Sequence, residues 1–328
     1  GRRAMAWSLL KVSGDPPKAR GGHTMNLVER NIIVCGGQQH VAGTKFEYLS
    51  LDPHVLNTET LVWDKPRVAL GKGPVPRAWH TATHVDQSLI FFGGRGQKNG
   101  TQRYIFNDLP CFDLTQMTWE HREARGKLPA PRYWHTASLV ERKLIVWGGH
   151  NGKHSLKDLH LLDVDAIIWS QPKVTPEPPP PLSLHTCHAV DGQLFIFGGM
   201  SVTLDEEGQT HVKYCSDTWT LDCLTMQWSR LRQRGMHPPA VAYHTAELTH
   251  TGQLLVIGGW RGEVVPADDL KALDLTTGQW QVVPVPGEVP ASMYGQRSCV
   301  VGTKVVTFGG WDGINPLNAV HVLDTAKL

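Results

Sequence analysis

An apolar run ending in two glycines occurs six times along this chain, at Gly36-Gly37, Gly93-Gly94, Gly148-Gly149, Gly198-Gly199, Gly258-Gly259 and Gly309-Gly310. Successive pairs lie 57, 55, 50, 60 and 51 residues apart, and a tryptophan stands 29 or 30 residues before each: Trp7, Trp63, Trp119, Trp169, Trp228 and Trp280. A histidine precedes the glycines by 13 or 14 residues in five units (His23, His80, His135, His185, His244), with Gln296 in the sixth. Asp or Asn recurs six residues before a tryptophan at Asn57, Asp113, Asp163, Asp222 and Asp274, while Asp324 has no tryptophan after it. Such a period marks a unit that cannot bury its faces alone and needs neighbours of its own kind.

Between these marks the segments are short, β-branched or aromatic, and bounded by Gly, Pro and Asn, as in Lys143 to Trp147, Leu159 to Asp163 and Ile167 to Trp169. They read as strands, four per unit, and no stretch keeps a helical period. Radially packed four-stranded sheets cover one another's faces and leave only short edges, so the expected fold is an all-β propeller. The Gly-Gly pair with its spaced tryptophan resembles the kelch repeat over the whole chain, which implies a six-bladed kelch β-propeller as one domain, residues 1–328. The orphan Trp7 segment is expected to complete the last blade beside Val320 to Leu323 and so close the ring. An Asp five residues before the third mark (Asp52, Asp108, Asp158, Asp217, Asp269) is expected to accept turn N–H groups.

Composition excludes several classes. With 32 basic and 30 acidic side chains the net charge is +2, too balanced for a dedicated nucleic-acid binder. Apolar runs such as Leu144 to Trp147 and Leu254 to Ile257 are far short of the roughly 20 residues of a membrane span. No basic start followed by an apolar stretch marks a signal peptide. The six cysteines, Cys35, Cys111, Cys187, Cys215, Cys223 and Cys299, show no CxxC spacing and read as buried free thiols, which fits cytoplasm or nucleus.

No Ser-elbow, P-loop or GxGxxG occurs, nor the ExxxDxxxH pattern of the iron-dependent specifier proteins that share the kelch fold. No enzyme activity, catalytic residue, cofactor or metal is expected. The motif histidines recur once per blade and so belong to the architecture. His80 with His84, or His150 with His154, would lie about 13 Å apart on a strand, too far to share an ion.

In a four-stranded antiparallel blade the loop after Gly-Gly and the link before the histidine lie on one face, around the central channel. The first set is Gln38, Arg95, His150, Met200, Trp260 and Trp311; the second is Arg20, Arg77 with Trp79, Arg132 with Tyr133 and Trp134, Leu184, Tyr243 and Tyr294. Aromatics and arginine dominate interface hot spots, so these residues are the candidate contacts for a protein or peptide ligand with an anionic group. Arg20, Arg77 and Arg132 share one repeat position, occupied later by Leu182, Val241 and Met293; they read as either structural or a cationic half of the mouth, to which Arg95 and Arg103 would add. Asp205, Glu206 and Glu207 offer the opposite sign. Loops of 20, 19 and 23 residues from the second glycine to the third mark in units one, two and four, against 14 or 15 elsewhere, are candidate specificity elements. The Pro-rich link from Pro172 to Pro181 reads as a stiff spacer rather than a displayed polyproline ligand.

Arg95 and Trp134 are similar to the arginine and tryptophan of kelch substrate receptors of cullin-type ubiquitin ligases that read C-terminal carboxylates. The match is partial, because a second arginine close behind Arg95 is missing and Tyr133 stands where a small hydroxyl residue is expected. A substrate adaptor of that kind, and a scaffold binding a small GTPase or cytoskeletal assembly by its outer rim, are the two alternatives.

Overall fold

In a computed structural model, residues 5–41, 45–69, 73–98, 102–176, 178–285 and 289–326 are described, and no helix occurs among them. Each repeat forms one four-stranded antiparallel meander. In the third, Thr136–Val140, Lys143–Trp147, Leu159–Asp163 and Ile168–Ser170 pair in order. Leu144, Ile145, Val146 and Trp147 are all buried, the continuous apolar run required of a strand covered on both faces.

The double glycine is a backbone requirement. All six first glycines sit at φ between 62° and 68° and all six second glycines between 92° and 112°, a region closed to most side chains. A Cβ at Gly93 would also meet the Arg132 carbonyl oxygen at 2.5 Å. The loop that follows is stapled at its base by one bond in every repeat, to the carbonyl of the second glycine: from the N–H of Leu49, Phe106, Leu156, Cys215, Val265 and Leu317 at 2.7–2.9 Å. The three long loops become hairpins, Gln38–Val41 with Lys45–Tyr48, Arg95–Lys98 with Gln102–Ile105, and Met200–Leu204 with Thr210–Tyr214.

The chain divides into two compact units, Arg67–Leu231 with repeats two to four, and Gly1–Pro66 with Arg232–Leu328, holding repeats five, six and one. Within each, the tryptophan of one sheet packs on the sheet before it: Trp169 on Phe92 (5.1 Å between ring centroids), Trp228 on Trp147 (5.4 Å), Trp63 on Phe308 (5.4 Å). The motif histidines bind the same neighbours, with His135 edge-on to Phe92, His185 to Trp147 and His23 to Phe308. Gln296 does this polar work without a ring, donating from Nε2 to the Ile257 carbonyl at 3.0 Å. As expected, Trp7–Leu9 pairs antiparallel with Val320–Asp324 and supplies the outer strand of the sixth sheet.

Three expectations need correction. Turn N–H groups are accepted by the third mark itself, as Asp163 does from Asp165 and Ala166; the earlier series instead holds cations, Asp108 taking Arg77, Asp158 Arg132, Asp217 Arg230, and Asp269 Lys271. The six cysteines are all free, but Cys187, Cys215 and Cys223 are only half-buried. Finally, three linkers form a fifth, parallel strand that the sequence reading missed: Ser13–Gly14, Arg125–Gly126 and Arg234–Gly235 run beside Trp63, Trp169 and Trp280. The Pro-rich link is tied down similarly, Thr175 bonding to Met226 and Trp228 at 3.1 and 2.9 Å, which suits a spacer.

Candidate functional site

In every repeat the residue after Gly-Gly meets the pre-histidine segment through the backbone. The pairs are Gly21 with Gln38, Ala78 with Arg95, Tyr133 with His150, Ser183 with Met200, Ala242 with Trp260 and Tyr294 with Trp311. The two candidate sets therefore share one ledge in each sheet.

The three arginines of the shared position do not face outward, which corrects the cationic reading of Arg20, Arg77 and Arg132. Arg20 is 2% exposed and Arg77 and Arg132 are 0%. Each donates from one terminal nitrogen to the carbonyl of its own repeat's first glycine, Gly36, Gly93 or Gly148, at 2.8–3.2 Å. Arg132 adds a bidentate pair to Asp158 at 2.8 and 2.7 Å, and Arg77 one to Asp108. Burial draws Arg20 down to about 10, still charged at neutral pH. Burial alone would raise Asp158, but bonds from His160 and Arg132 outweigh it and hold the carboxyl well below the ordinary range. Leu182, Val241 and Met293, in the equivalent slots, are buried too. The position is a core slot clamping the glycine corner.

What remains accessible in repeats two and three is an arginine on an aromatic bed. The Arg95 guanidinium lies 5.2 Å from the Tyr133 ring centroid and 5.4 Å from that of Trp134. Trp134 also packs against Tyr133 (4.5 Å), His150 (5.6 Å) and Trp79 (6.1 Å). Arg95 and Trp134 are partly exposed, whereas Trp79, Tyr133 and His150 are buried to more than nine-tenths. Gln38 and Met200 are buried as well, and Arg103 stands exposed on the hairpin opposite Gln97. In the other unit, Tyr294 packs on Trp260 (5.3 Å) and Tyr243 (5.8 Å), and Trp311 on His40 and Phe46.

The residue before the histidine slot is left-handed in all six repeats: Gly22, Trp79, Trp134, Leu184, Tyr243 and Gly295, at φ from 58° to 68°. This geometry lets successive sheets bond slot to slot, Trp134 N–H to Trp79 O and Leu184 N–H to Trp134 O in one unit, Gly295 N–H to Tyr243 O and Gly22 N–H to Gly295 O in the other. Glycine meets that demand at no steric cost, whereas a bulky residue there is strained by about 1 kcal/mol or more. Trp79, Trp134 and Tyr243 thus carry rings where the fold would do better with glycine, and Gly22 and Gly295 were the sequence signal for it.

Sequence reading also missed Glu247. Its carboxylate accepts from Ser298 Oγ at 2.6 Å, and burial, opposed by that bond and by the Arg297 charge, pushes it up to about 7. A carboxyl raised in the fold favours its protonated form, so stability is greatest below the unfolded value near 4.3 and falls as pH rises through about 7. Glu247→Gln is accordingly expected to be more stable than wild type at pH 8 by about 1–2 kcal/mol and equal to it at pH 4, in denaturant titrations at both pH values. An offset independent of pH would contradict this assignment.

Comparison with known proteins is consistent across sequence and fold. Residues 3–121 and 79–310 match the family model described as the KLHDC2/KLHL20/DRC7 Kelch-repeats domain. The chain is 30% identical to Adagio-like protein 3 of Oryza sativa subsp. japonica over 99% of its own length and 51% of that protein's. It is 29% identical to acyl-CoA-binding domain-containing protein 4 of Arabidopsis thaliana, over 92% of its length and 36% of that protein's. It therefore spans about a third to a half of these curated relatives. Among solved structures, that of YjhT matches with a TM-score of 0.69 at 16% identity, covering 95% of this chain and 97% of the other, a likeness of fold.

Proposed function

This chain belongs to the kelch-repeat family and has its six-bladed propeller fold, and from that premise we propose that it is a non-enzymatic recognition module holding an anionic group of a peptide or protein at Arg95. Kelch-repeat domains act as protein-interaction modules. The observation that carries the reading is the partly exposed guanidinium on the Tyr133 and Trp134 rings. A cation bedded on aromatic faces presents charge beside apolar surface, which suits a carboxylate flanked by apolar side chains. The left-handed backbone under the partly exposed Trp134 supports the reading, since a ring held there at a cost to the fold is a candidate for contact.

The adaptor alternative is the more specific form of the same proposal, supported by the stacking of Arg95 on Trp134, the two residues that match carboxylate-reading kelch receptors. Both forms are tested by selecting from a displayed library of random octapeptides with free C-termini, and from the same library amidated. Arg95→Glu is expected to abolish enrichment. Trp134→Gly is expected to reduce it at least tenfold while leaving the thermal midpoint within a few degrees, because the slot accepts glycine elsewhere in this chain. Enrichment confined to free C-termini selects the C-terminal reading. Enrichment unchanged by Arg95→Glu would place recognition elsewhere, as the rim-scaffold alternative requires.

A further inference from the structure

We propose that His150 is the second polar reader of the Arg95 site, giving its Nε2–H to one oxygen of the peptide carboxylate whose charge Arg95 meets. This rests on the recognition reading above and adds the residue that would give it direction.

The imidazole is fixed on several sides. The backbone of His150 exchanges both hydrogen bonds with Tyr133, at 2.8 and 3.1 Å, and its ring packs against Tyr133 at 5.3 Å and Trp134 at 5.6 Å. Two residues on, the Gly152 N–H donates to His150 Nδ1 at 2.9 Å. A ring nitrogen that accepts an N–H carries no proton, so the neutral ring bears its proton on Nε2 and is a donor there. The turn enforces the arrangement: Gly152 has φ of 98°, and a Cβ on it would meet Ile105 Cδ1 at 2.9 Å.

Burial, with the neighbouring groups adding to it, keeps the ring uncharged. His154 hydrogen-bonds through Nδ1 to the Ser155 carbonyl at 2.9 Å, which only a protonated Nδ1 can do, and through Nε2 to the Asn151 amide at 3.1 Å. Burial first, then His154 and the Arg95 charge, lower His150 to about 4. A neutral donor beside Arg95 adds direction without a second positive charge to repel the first. A carboxylate bridging Arg95 and Nε2 would receive one charge-assisted bond from each side.

The test uses the full chain and three fluorescent octapeptide pools: one with a free terminal carboxylate, one amidated, and one amidated with glutamate as its last residue. The last two distinguish a terminal carboxylate from an acidic side chain. Whichever carboxylate pool the wild type retains, retention is expected to be flat from pH 5.5 to 8. His150→Phe, which keeps a ring but no donor, should weaken it about 10- to 100-fold, and His150→Gln, which restores an uncharged N–H, should recover most of the loss. His150→Phe binding within twofold of wild type, or His150→Gln binding no better than a weakened His150→Phe, while Arg95→Glu still abolishes retention, would overturn the role of His150 and leave the Arg95 site standing. Full retention by Arg95→Glu would overturn the site itself. A wild-type profile with a midpoint near 6.5 would also overturn the proposal, by showing a charged imidazole, and that readout needs no variant to fold.

Discussion

Arg132→Leu is expected to lower the unfolding free energy by about 3–5 kcal/mol at pH 7, and adding Asp158→Asn to restore most of it. The leucine itself is not the difficulty, because Leu182 fills the same slot one repeat later with 1% exposure. The loss comes from the groups left behind: the Gly148 carbonyl, whose bond at 2.9 Å disappears, and Asp158, which loses both of its guanidinium bonds and keeps only His160. Removing one partner of a buried pair strands the other, whereas removing both leaves a slot that an apolar side chain can fill. The carboxyl is held low in the fold, so the pair's contribution is complete above the unfolded value near 4 and fades as pH falls below it. Urea titrations should therefore show the gap between wild type and Arg132→Leu closing in acid. A single variant as stable as wild type at pH 7 would mean that the clamp does not hold the glycine corner. Reversing Arg132 to glutamate would test folding rather than binding, despite its place two residues before Trp134.

Trp7→Ala should cost a further large amount, about 3–5 kcal/mol. Trp7 is 4% exposed and sits among Leu255, Ile257, Leu270, Val305 and Leu323, drawn from the fifth and sixth sheets. Its Nε1 donates to the Ala267 carbonyl at 3.2 Å. Losing the ring opens a cavity at the strand that joins the chain's two ends, so both the packing and the Trp7–Leu323 pairing weaken together. Leu9, on the same strand but 60% exposed, is the control: Leu9→Ala should stay within about 0.5 kcal/mol of wild type. Equal melting of Trp7→Ala and wild type would show that the sixth sheet does not depend on its N-terminal strand.

Much of this architecture was legible because it is local and periodic. The glycine pairs, tryptophans and third-mark acids each repeat a requirement set by a turn or a packing layer, and the structure places them accordingly. The excess loop lengths in repeats one, two and four became the three hairpins. Less legible was what depends on partners far along the chain. Arg77 is core because Asp108, 31 residues on, neutralises it, and nothing adjacent to Arg77 announces that. The same holds for Asp108 and Asp158, whose spacing resembles a turn acceptor although their partners are guanidinium groups. Within the candidate site, the meeting of the two loop sets followed from strand order, but which members stay accessible did not. Arg95 and Trp134 are separated from buried Arg132 and Tyr133 only by burial, a property of three-dimensional packing. The left-handed slot was signalled, by Gly22 and Gly295, yet reading it requires aligning six repeats at a position where four are bulky.

The staple from the second glycine's carbonyl closes a loop of six intervening residues in the third repeat, Gly149 to Leu156, and one of fifteen in the fourth, Gly199 to Cys215, with bonds of 2.7 and 2.9 Å. Because the anchor is indifferent to what it encloses, each loop is an interchangeable cassette mounted on a fixed socket. Insertions, deletions or whole-ribbon grafts between these sockets alter the loop surface without re-registering a single strand below, so such a chain can change that surface one socket at a time.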